Sequence, residues 1–212
     1  IQYRIPRKIN IGDKQRIMTG IDQIFEKFSL EAYDPESGNV VRLHSHELLG
    51  AWVILFFYPA DFTFVCPTEL VDINRHADEF KKYNAEVIAV STDTVYTHKA
   101  WLEIEELLKG FKFRMAADHN GKFSQKLGIY DEEKGVAMRA VYIIDPEGVL
   151  RSVEIVSDSI GRNAAEVVRK LKALDFVRNN PGKVCPARWE EGETVLEPAI
   201  RKAGHVHREY KK

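Results

Sequence analysis

Residues 51–69 read AWVILFFYPADFTFVCPTE, and they carry the strongest strand pattern of the chain. The first eight are continuously apolar and rich in β-branched and aromatic side chains, and Pro59 ends the run, so we predict a buried strand over 51–58. The pattern over 67–83 is helical, because apolar residues recur there at three- and four-residue spacing. These apolar residues are Leu70, Ile73, Ala77 and Phe80. Cys66 therefore lies where a loop after a strand meets the start of a helix.

The same alternation continues on both sides of this stretch. A run of turn-forming residues at 34–39 separates 25–33 from 40–43 and predicts a hairpin. Further strands are predicted over 86–91, 113–117, 139–144 and 149–156, and further helices over 94–108 and 163–177. Strands that alternate with helices and end in a hairpin and a helix indicate an α/β fold. We expect a thioredoxin-like central mixed sheet flanked by helices.

Composition and charge exclude several classes of protein. The chain has 212 residues, with 31 basic against 32 acidic residues and a net charge of −1, which does not suggest a nucleic-acid-binding protein. The longest apolar run is far too short to span a bilayer. Glycine-rich phosphate-binding motifs are absent from the sequence, so no tightly bound organic cofactor is indicated.

Three regions follow from the pattern along the chain. We expect an N-terminal extension over 1–24, a thioredoxin-like domain over 25–178, and a C-terminal arm over 179–212 that begins near the helix-breaking Asn180-Pro181-Gly182. The arm shows little periodicity, and we expect it to pack on something else, such as a second subunit. The extension is basic and lacks a secretory apolar core, which favours an ordinary basic arm over the remnant of a targeting segment. Cytoplasmic localisation is the default expectation.

Cys66 combines several features of a reactive cysteine. Pro67 suits the first turn of a helix, which places Cys66 at or next to the N-cap and Glu69 at the third helical position. Unpaired backbone N–H groups and the positive end of the helix dipole there favour thiolate over thiol, and the thiolate is the nucleophile. A buried cysteine that only packs at a helix start is the alternative. Position alone leaves both interpretations open.

Two motifs connect the chain to a known family. Residues 57–69, FYPADFTFVCPTE, closely resemble the signature of typical two-cysteine peroxiredoxins, the group that contains the alkyl hydroperoxide reductase C proteins. Residues 184–189, VCPARW, are similar to the segment that carries the resolving cysteine in that family, apart from Arg188. The resemblance extends from about residue 25 to residue 189 and implies a thiol-dependent peroxidase with an antioxidant role.

The resemblance assigns a role to each matching residue near Cys66. Cys66 would be the peroxidatic cysteine, which becomes a sulfenic acid when it reduces a hydroperoxide. Thr63 would donate a hydrogen bond to the peroxide, Arg139 would hold the thiolate and polarise the peroxide, and Pro59 would shield the pocket. Each has a plainer alternative: Thr63 could cap a turn, Arg139 could lie at an exposed strand edge, and Pro59 could simply end a strand.

Two further residues match family positions less directly. Glu69 could orient Arg139 or could only cap its helix. Trp101 could take part in the site, but an aromatic side chain that fills the core is at least as good an interpretation.

Cys185 lies 119 positions after Cys66 (185 − 66). The resemblance implies that it comes from the partner chain of a homodimer and resolves the sulfenic acid as an intersubunit disulfide, which requires the Cys66 helix to unwind in part. Rings of dimers, commonly decamers of five dimers, are expected by the same resemblance. The substrates would be hydrogen peroxide and organic hydroperoxides, and the reductant would be a thioredoxin-like protein or a flavoprotein.

The chain departs from the over-oxidation-sensitive members of the family. Residues 107–113 lack the Gly-Gly-Leu-Gly insertion, and residues 208–212 lack the Tyr-Phe pair. We therefore expect easy local unfolding at Cys66, so that disulfide formation is faster than sulfinic acid formation.

Other interpretations of the sequence are weaker. The pairs His44 and His46, and His205 and His207, could share a face, but no pattern completes a structural zinc site, and no metal is expected. A thiol–disulfide oxidoreductase would normally carry Cys-x-x-Cys, which Cys66 lacks. A redox-regulated holdase chaperone or a peroxide-signalling partner is the non-enzymatic alternative.

Overall fold

A seven-stranded mixed sheet organises residues 20–210, the part of the chain that the computed structural model describes. The strands of the whole fold are β1 Ser29–Asp34, β2 Asn39–His44, β3 Trp52–Phe57, β4 Ala85–Ser91, β5 Arg114–Ala117, β6 Tyr130–Asp131, β7 Val136–Ala137, β8 Arg139–Ile144 and β9 Leu150–Val156. The helices are α1 Cys66–Arg75, α2 Ala77–Lys82, α3 Val95–Ile104, α4 Lys122–Lys126 and α5 Ala164–Asn179. Short 3-10 turns cover Ser45–Leu48, Glu106–Leu108, Ile200–Lys202 and Val206–Arg208.

The strand order β2-β1-β5-β4-β3-β8-β9 places β3 near the centre of the sheet. It pairs in parallel with β4 and antiparallel with β8, and β4 pairs in parallel with β5. Two antiparallel hairpins, β1–β2 and β8–β9, complete the sheet. The small β6–β7 ladder lies apart. The predicted α/β fold with a mixed sheet flanked by helices is confirmed.

Both faces of β3 are covered, which explains its continuous apolar sequence. All six of its residues are buried. Alternate side chains of a strand point to opposite faces; Ile54 and Phe56 join one core cluster with Cys66, while Leu55 and Phe57 join a second cluster. The loop that follows β3 therefore begins at the end of a strand that is packed on both faces.

Several predicted boundaries were wrong. The helix expected over 67–83 is two helices, because the backbone at His76 leaves the helical region (φ −95°, ψ 13°) and its N–H bonds the Ile73 carbonyl three residues back. The helix expected over 94–108 ends at Ile104 and continues only as a 3-10 turn. The first strand begins at Ser29 rather than at residue 25. Elements as short as α4, β6 and β7 leave no periodicity to detect and were missed.

The arm after α5 contains only 3-10 turns and an isolated bridge between Val184 and Leu196 within the described residues. It contacts its own chain, which the sequence did not indicate: the Trp189 side chain is buried, with its ring 5.0 Å from that of Phe176 on α5.

Residues 1–19, on which the basic-segment prediction falls, and residues 211–212 lie outside the described residues. Among the described helices, none has the length and apolar character needed to cross a membrane.

Candidate active site

Cys66 is the first residue of α1, directly after the N-cap residue Val65. Its side chain is fully buried. Pro67 follows at the second helical position, so the helix begins one residue earlier than predicted and Glu69 occupies the fourth position. Val65 makes no side-chain cap, and the N–H groups of Thr68 and Glu69 both bond its carbonyl oxygen. The prediction that Cys66 lies next to an N-cap is confirmed.

Arg139 lies beside this thiol. It is the first residue of β8, the neighbour of β3, so the sheet brings it to the strand end from which the Cys66 loop starts. Its Nη1 is 3.3 Å from Cys66 Sγ and 2.6 Å from Glu69 Oε2, while its Nε donates to the Asp158 carbonyl oxygen at 2.7 Å. With only 4% of its side chain exposed, Arg139 is not a strand-edge surface residue.

Glu69 connects Arg139 to a second buried arginine, Arg162. Arg162 Nε lies 2.8 Å from Glu69 Oε1 and its Nη2 lies 3.1 Å from Oε2, and its backbone N–H also bonds Oε1 at 2.8 Å. Its guanidinium stacks on the Phe56 ring at 3.7 Å and donates to the Ala140 carbonyl oxygen. Arg162 was not predicted from the sequence, because it stands in a loop before α5 with no local motif around it.

The charges of this cluster act on one another. Burial lowers the pKa of Arg139, but the hydrogen bond to Cys66 and the negative charges of Cys66 and Glu69 outweigh it, so the pKa lies above its ordinary value. Burial also lowers the pKa of Arg162, and Glu69 opposes that change only in part. Because arginine titrates so far above neutral pH, both guanidinium groups remain cationic beside the sulfur.

Thr63 and Pro59 lie in the loop that joins β3 to α1. The half-buried Thr63 hydroxyl donates to the Ala60 carbonyl oxygen at 2.9 Å, the contact expected of a turn-capping residue, and its oxygen retains acceptor capacity. Pro59 is buried two residues after the last residue of β3. Both residues therefore shape the backbone that leads to Cys66.

Trp101 on α3 is a core residue. Its side chain is buried and its ring centroid lies 6.1 Å from those of Tyr58 and Phe62. Its burial fits the core-filling interpretation.

Cys185 lies against α5 in the same chain. Its half-buried Sγ is 3.8 Å from the Ala173 carbonyl oxygen, and Arg169 Nη1 holds the Trp189 carbonyl oxygen at 3.2 Å. Burial raises the pKa of the Cys185 thiol, and the positive charge of Arg169 opposes the rise. Both cysteines are free thiols, so the structure brings Cys66 together with Arg139 and Glu69 but does not pair it with Cys185.

The two histidine pairs lie ring to ring, with centroids 5.4 Å apart for His44 and His46 and 6.1 Å apart for His205 and His207. Over residues 20–210, no group of three or more histidine, cysteine or acidic side chains is arranged to hold a metal ion.

Comparison with known proteins now decides the family. The profile of the AhpC/TSA family matches residues 21–153. The chain belongs to the AhpC/TSA family. Alkyl hydroperoxide reductase C of Escherichia coli K12 is 39% identical over 189 residues, covering 89% of this chain and 100% of that protein. The corresponding protein of Staphylococcus haemolyticus is 40% identical over the same coverage.

Solved structures agree with the sequence comparison. AhpC of Enterococcus faecalis superposes with a TM-score of 0.75 at 46% identity, covering 80% of this chain and 100% of that chain. The reduced 2-Cys peroxiredoxin of Plasmodium vivax superposes with a TM-score of 0.81 at 28% identity, covering 85% and 94% respectively. The chain is thus a two-cysteine peroxiredoxin, an antioxidant enzyme with thiol peroxidase activity.

Proposed function

We propose that this peroxiredoxin reduces hydrogen peroxide and organic hydroperoxides with Cys66, and that Cys185 of a partner subunit resolves the oxidised cysteine. The observation that carries the proposal is the 3.3 Å contact between Arg139 Nη1 and the buried Cys66 Sγ at the start of α1. A guanidinium and a helix N-terminus favour a thiolate over a thiol, and the guanidinium also stabilises the charge that moves onto a departing oxygen. The names of the curated relatives support alkyl hydroperoxides as substrates.

The first step is a displacement at oxygen. The Cys66 thiolate attacks the distal peroxide oxygen, an S–O bond forms and the O–O bond breaks. The departing oxygen takes a proton from solvent and leaves as water or an alcohol. Arg139 polarises the peroxide, the Thr63 hydroxyl hydrogen-bonds to it, and Pro59 keeps water from the pocket. The product at Cys66 is a sulfenic acid.

The second step joins two chains. The Cys185 thiolate attacks the sulfenic sulfur, an S–S bond forms and hydroxide leaves, which a proton converts to water. Because Cys66 is fully buried and cysteine Cα atoms more than about 7 Å apart cannot be bridged, the first turn of α1 must unwind before the sulfurs meet. A dithiol reductant, either a thioredoxin-like protein or a flavoprotein, then reduces the disulfide and is itself oxidised.

A homodimer, and rings of five such dimers, are the assemblies that this chemistry and the family favour. Large apolar side chains are exposed on the single chain, which supports burial in an assembly. They include Phe62, Phe64, Tyr96, Met138 and Ile155. Two cysteines that cycle between thiol and disulfide suit a reducing compartment, and we propose the cytoplasm.

The test treats the reduced protein with one equivalent of hydrogen peroxide and compares it on a non-reducing gel with Cys66→Ser and Cys185→Ser. We expect rapid peroxide consumption and a covalent dimer in the wild type, and no dimer of that kind in either variant. A wild type that consumes peroxide but stays monomeric would contradict resolution across subunits. A wild type that consumes none would favour the holdase chaperone or signalling role, which would survive Cys66→Ser.

A further inference from the structure

A buried polar cluster that the proposed reaction does not use lies just upstream of Cys66. It is centred on Asp61 and His98, whose side chains are both completely inaccessible to solvent. Asp61 Oδ2 is 2.8 Å from His98 Nδ1, and Asp61 Oδ1 accepts a hydrogen bond from the Tyr58 hydroxyl at 2.7 Å. Asp61 belongs to the loop before α1, whereas His98 belongs to α3, so the cluster joins the Cys66 loop to a separate helix.

The hydrogen-bond partners imply a proton shared by Asp61 and His98. His98 Nε2 faces the Ala116 carbonyl oxygen at 3.3 Å, and a carbonyl can only accept, so Nε2 carries a hydrogen. Nδ1 then faces the carboxylate, and one further proton is needed between the two groups. Burial raises the pKa of the Asp61 carboxyl, and the hydrogen bond to His98 opposes the rise. Removing either partner leaves the other buried without its ion-pair partner, which is unfavourable.

The backbone of Asp61 is also fixed by a hydrogen bond. The Asp61 N–H donates to Asp93 Oδ2 at 2.8 Å, and that oxygen also accepts from the Ser91 hydroxyl at 2.8 Å. Ser91 is the last residue of β4. Through its side chain and its backbone, Asp61 is therefore fixed to α3 and to the end of a central strand.

The chain after Asp61 adopts a conformation that needs such support. Phe62 has φ of 54°, in the left-handed region that residues with a side chain rarely occupy unless the surrounding structure enforces it. Four residues later α1 begins without a side-chain cap at Val65. The segment between Asp61 and Cys66 thus begins with a strained residue and ends at a helix N-terminus that no side chain caps. Both features favour local opening of the segment.

We infer that the Asp61–His98 pair, with Tyr58, is a positioning device that keeps the Cys66 segment folded, and that its strength sets how often Cys66 opens to meet its resolving partner. The inference deepens the proposed function and rests on it for its consequence in turnover. A weaker pair exposes Cys66 more often, so the sulfenic acid spends less time in the folded pocket where a second peroxide converts it to sulfinic acid. Weakening the pair should therefore favour disulfide over sulfinic acid.

The experiment compares Asp61→Asn, His98→Gln and Tyr58→Phe with the wild type. His46→Gln is the matched control, since His46 is an exposed histidine on the 3-10 turn Ser45–Leu48. Hydrogen exchange of residues 60–70 is measured by mass spectrometry in the reduced protein without peroxide. The ratio of Cys66 sulfinic acid to disulfide is then measured over a range of hydrogen peroxide concentrations.

We expect exchange of this segment to be about tenfold faster or more in Asp61→Asn and His98→Gln, and to be accelerated less in Tyr58→Phe. The hydrogen peroxide concentration that converts half of Cys66 to sulfinic acid should rise most in Asp61→Asn and His98→Gln and less in Tyr58→Phe. His46→Gln should match the wild type in both measurements. Tyr58→Phe removes a single oxygen, so it tests the inference even if the other variants do not fold. Folded variants whose exchange and product ratio equal those of the wild type would overturn it.

Failure of the proposed function would be seen separately. The exchange measurement requires no peroxide and no turnover, so it tests the positioning role even in a protein that reduces nothing. Absence of peroxide consumption by the wild type would overturn the peroxidase proposal alone. Normal consumption together with unchanged exchange in the variants would overturn the positioning role alone.

Discussion

Glu69 balances the charges around Cys66. Its two carboxylate oxygens accept hydrogen bonds from Arg139 and Arg162, and less than 2% of its side chain is exposed. Two guanidinium cations and one carboxylate leave a single positive charge in this buried cluster, which a Cys66 thiolate neutralises. The half-exposed Asp158 carboxylate, 3.5 Å from Arg139 Nη2, adds little because solvent screens it. The composition of the cluster therefore leaves net positive charge beside the Cys66 sulfur.

Glu69→Gln should destabilise the protein by about 3–5 kcal/mol, since it leaves two buried guanidinium groups without their counter-charge. Urea denaturation of the reduced protein measures the free energy of unfolding. Glu31→Gln is the control, because its ion pair with Arg42 is about half exposed and contributes about 0–1 kcal/mol. Equal losses in the two variants would contradict a special role for the buried carboxylate.

Arg139→Gln should slow peroxide reduction by roughly 10²–10³-fold, the effect of losing one preorganised donor to a developing charge. The rate of Cys66 oxidation is followed by stopped-flow fluorescence on samples whose fold is checked by circular dichroism. Arg42→Gln, which removes an exposed arginine, should leave the rate unchanged. A loss below tenfold in folded Arg139→Gln would exclude a direct role in the reaction.

Helix α5 is the element that positions the segment around Cys185 in the single chain. Phe176 packs on Trp189, Arg169 binds the Trp189 carbonyl oxygen, and Cys185 lies against the Ala173 carbonyl oxygen. Trp189 is buried, whereas Cys185 is only half-buried. Under the proposed function, Cys185 would leave this position before its thiol reacts with the sulfenic acid of a partner subunit.

Because burial raises the pKa of Cys185, the docked thiol should be largely protonated at neutral pH and should react faster as the pH rises. In a Cys66→Ser background, we expect its alkylation by iodoacetamide to have a pH midpoint above about 8.5, the ordinary value for a thiol. The added substitution Trp189→Ala should release the arm and lower the midpoint toward that value. The urea-unfolded protein gives the reference midpoint, and a docked midpoint equal to it would contradict the expectation.

At the scale of the whole molecule, the exposed apolar side chains connect assembly to chemistry. Phe64 is 94% exposed and lies two residues before Cys66, in the loop that would rearrange under the proposed function. A neighbouring subunit that covers this residue would stabilise the folded loop, because burial of an aromatic side chain is favourable. Assembly and the opening of Cys66 should therefore be coupled.

Mixing Cys66→Ser with Cys185→Ser should produce a covalent heterodimer after one equivalent of hydrogen peroxide. Each mixed pair retains one peroxidatic and one resolving cysteine on different chains, so a disulfide can form only between subunits. Differently tagged chains, exchanged in dilute denaturant and refolded, are analysed on a non-reducing gel. Each variant alone serves as the control. Only homodimers, or no covalent species, would contradict resolution by the partner.

Local sequence patterns were sufficient to predict the central strand of this protein and the helix start at Cys66. The apolar run at 51–58 requires a strand covered on both faces, and Pro67 with the helical spacing after it places Cys66 at a helix start. Both conclusions were correct to within a residue or two, because strand alternation, helical spacing and proline geometry depend on neighbours in the chain. The motifs around Cys66 and Cys185 also identified the family without any structural information.

Apart from the Arg139 contacts that the family resemblance implied, contacts between distant residues became visible only in the tertiary structure. Glu69 meets Arg162 across 93 positions, and Asp61 meets His98 across 37 positions. Periodicity contains no information about such pairs, because their proximity results from the strand order of the sheet. The interruption at His76 was missed for a related reason, since apolar spacing continues through it and only the backbone changes. The chain's neighbouring residues thus specify where the thiol stands, while the packing of the sheet and helices decides which charges surround it.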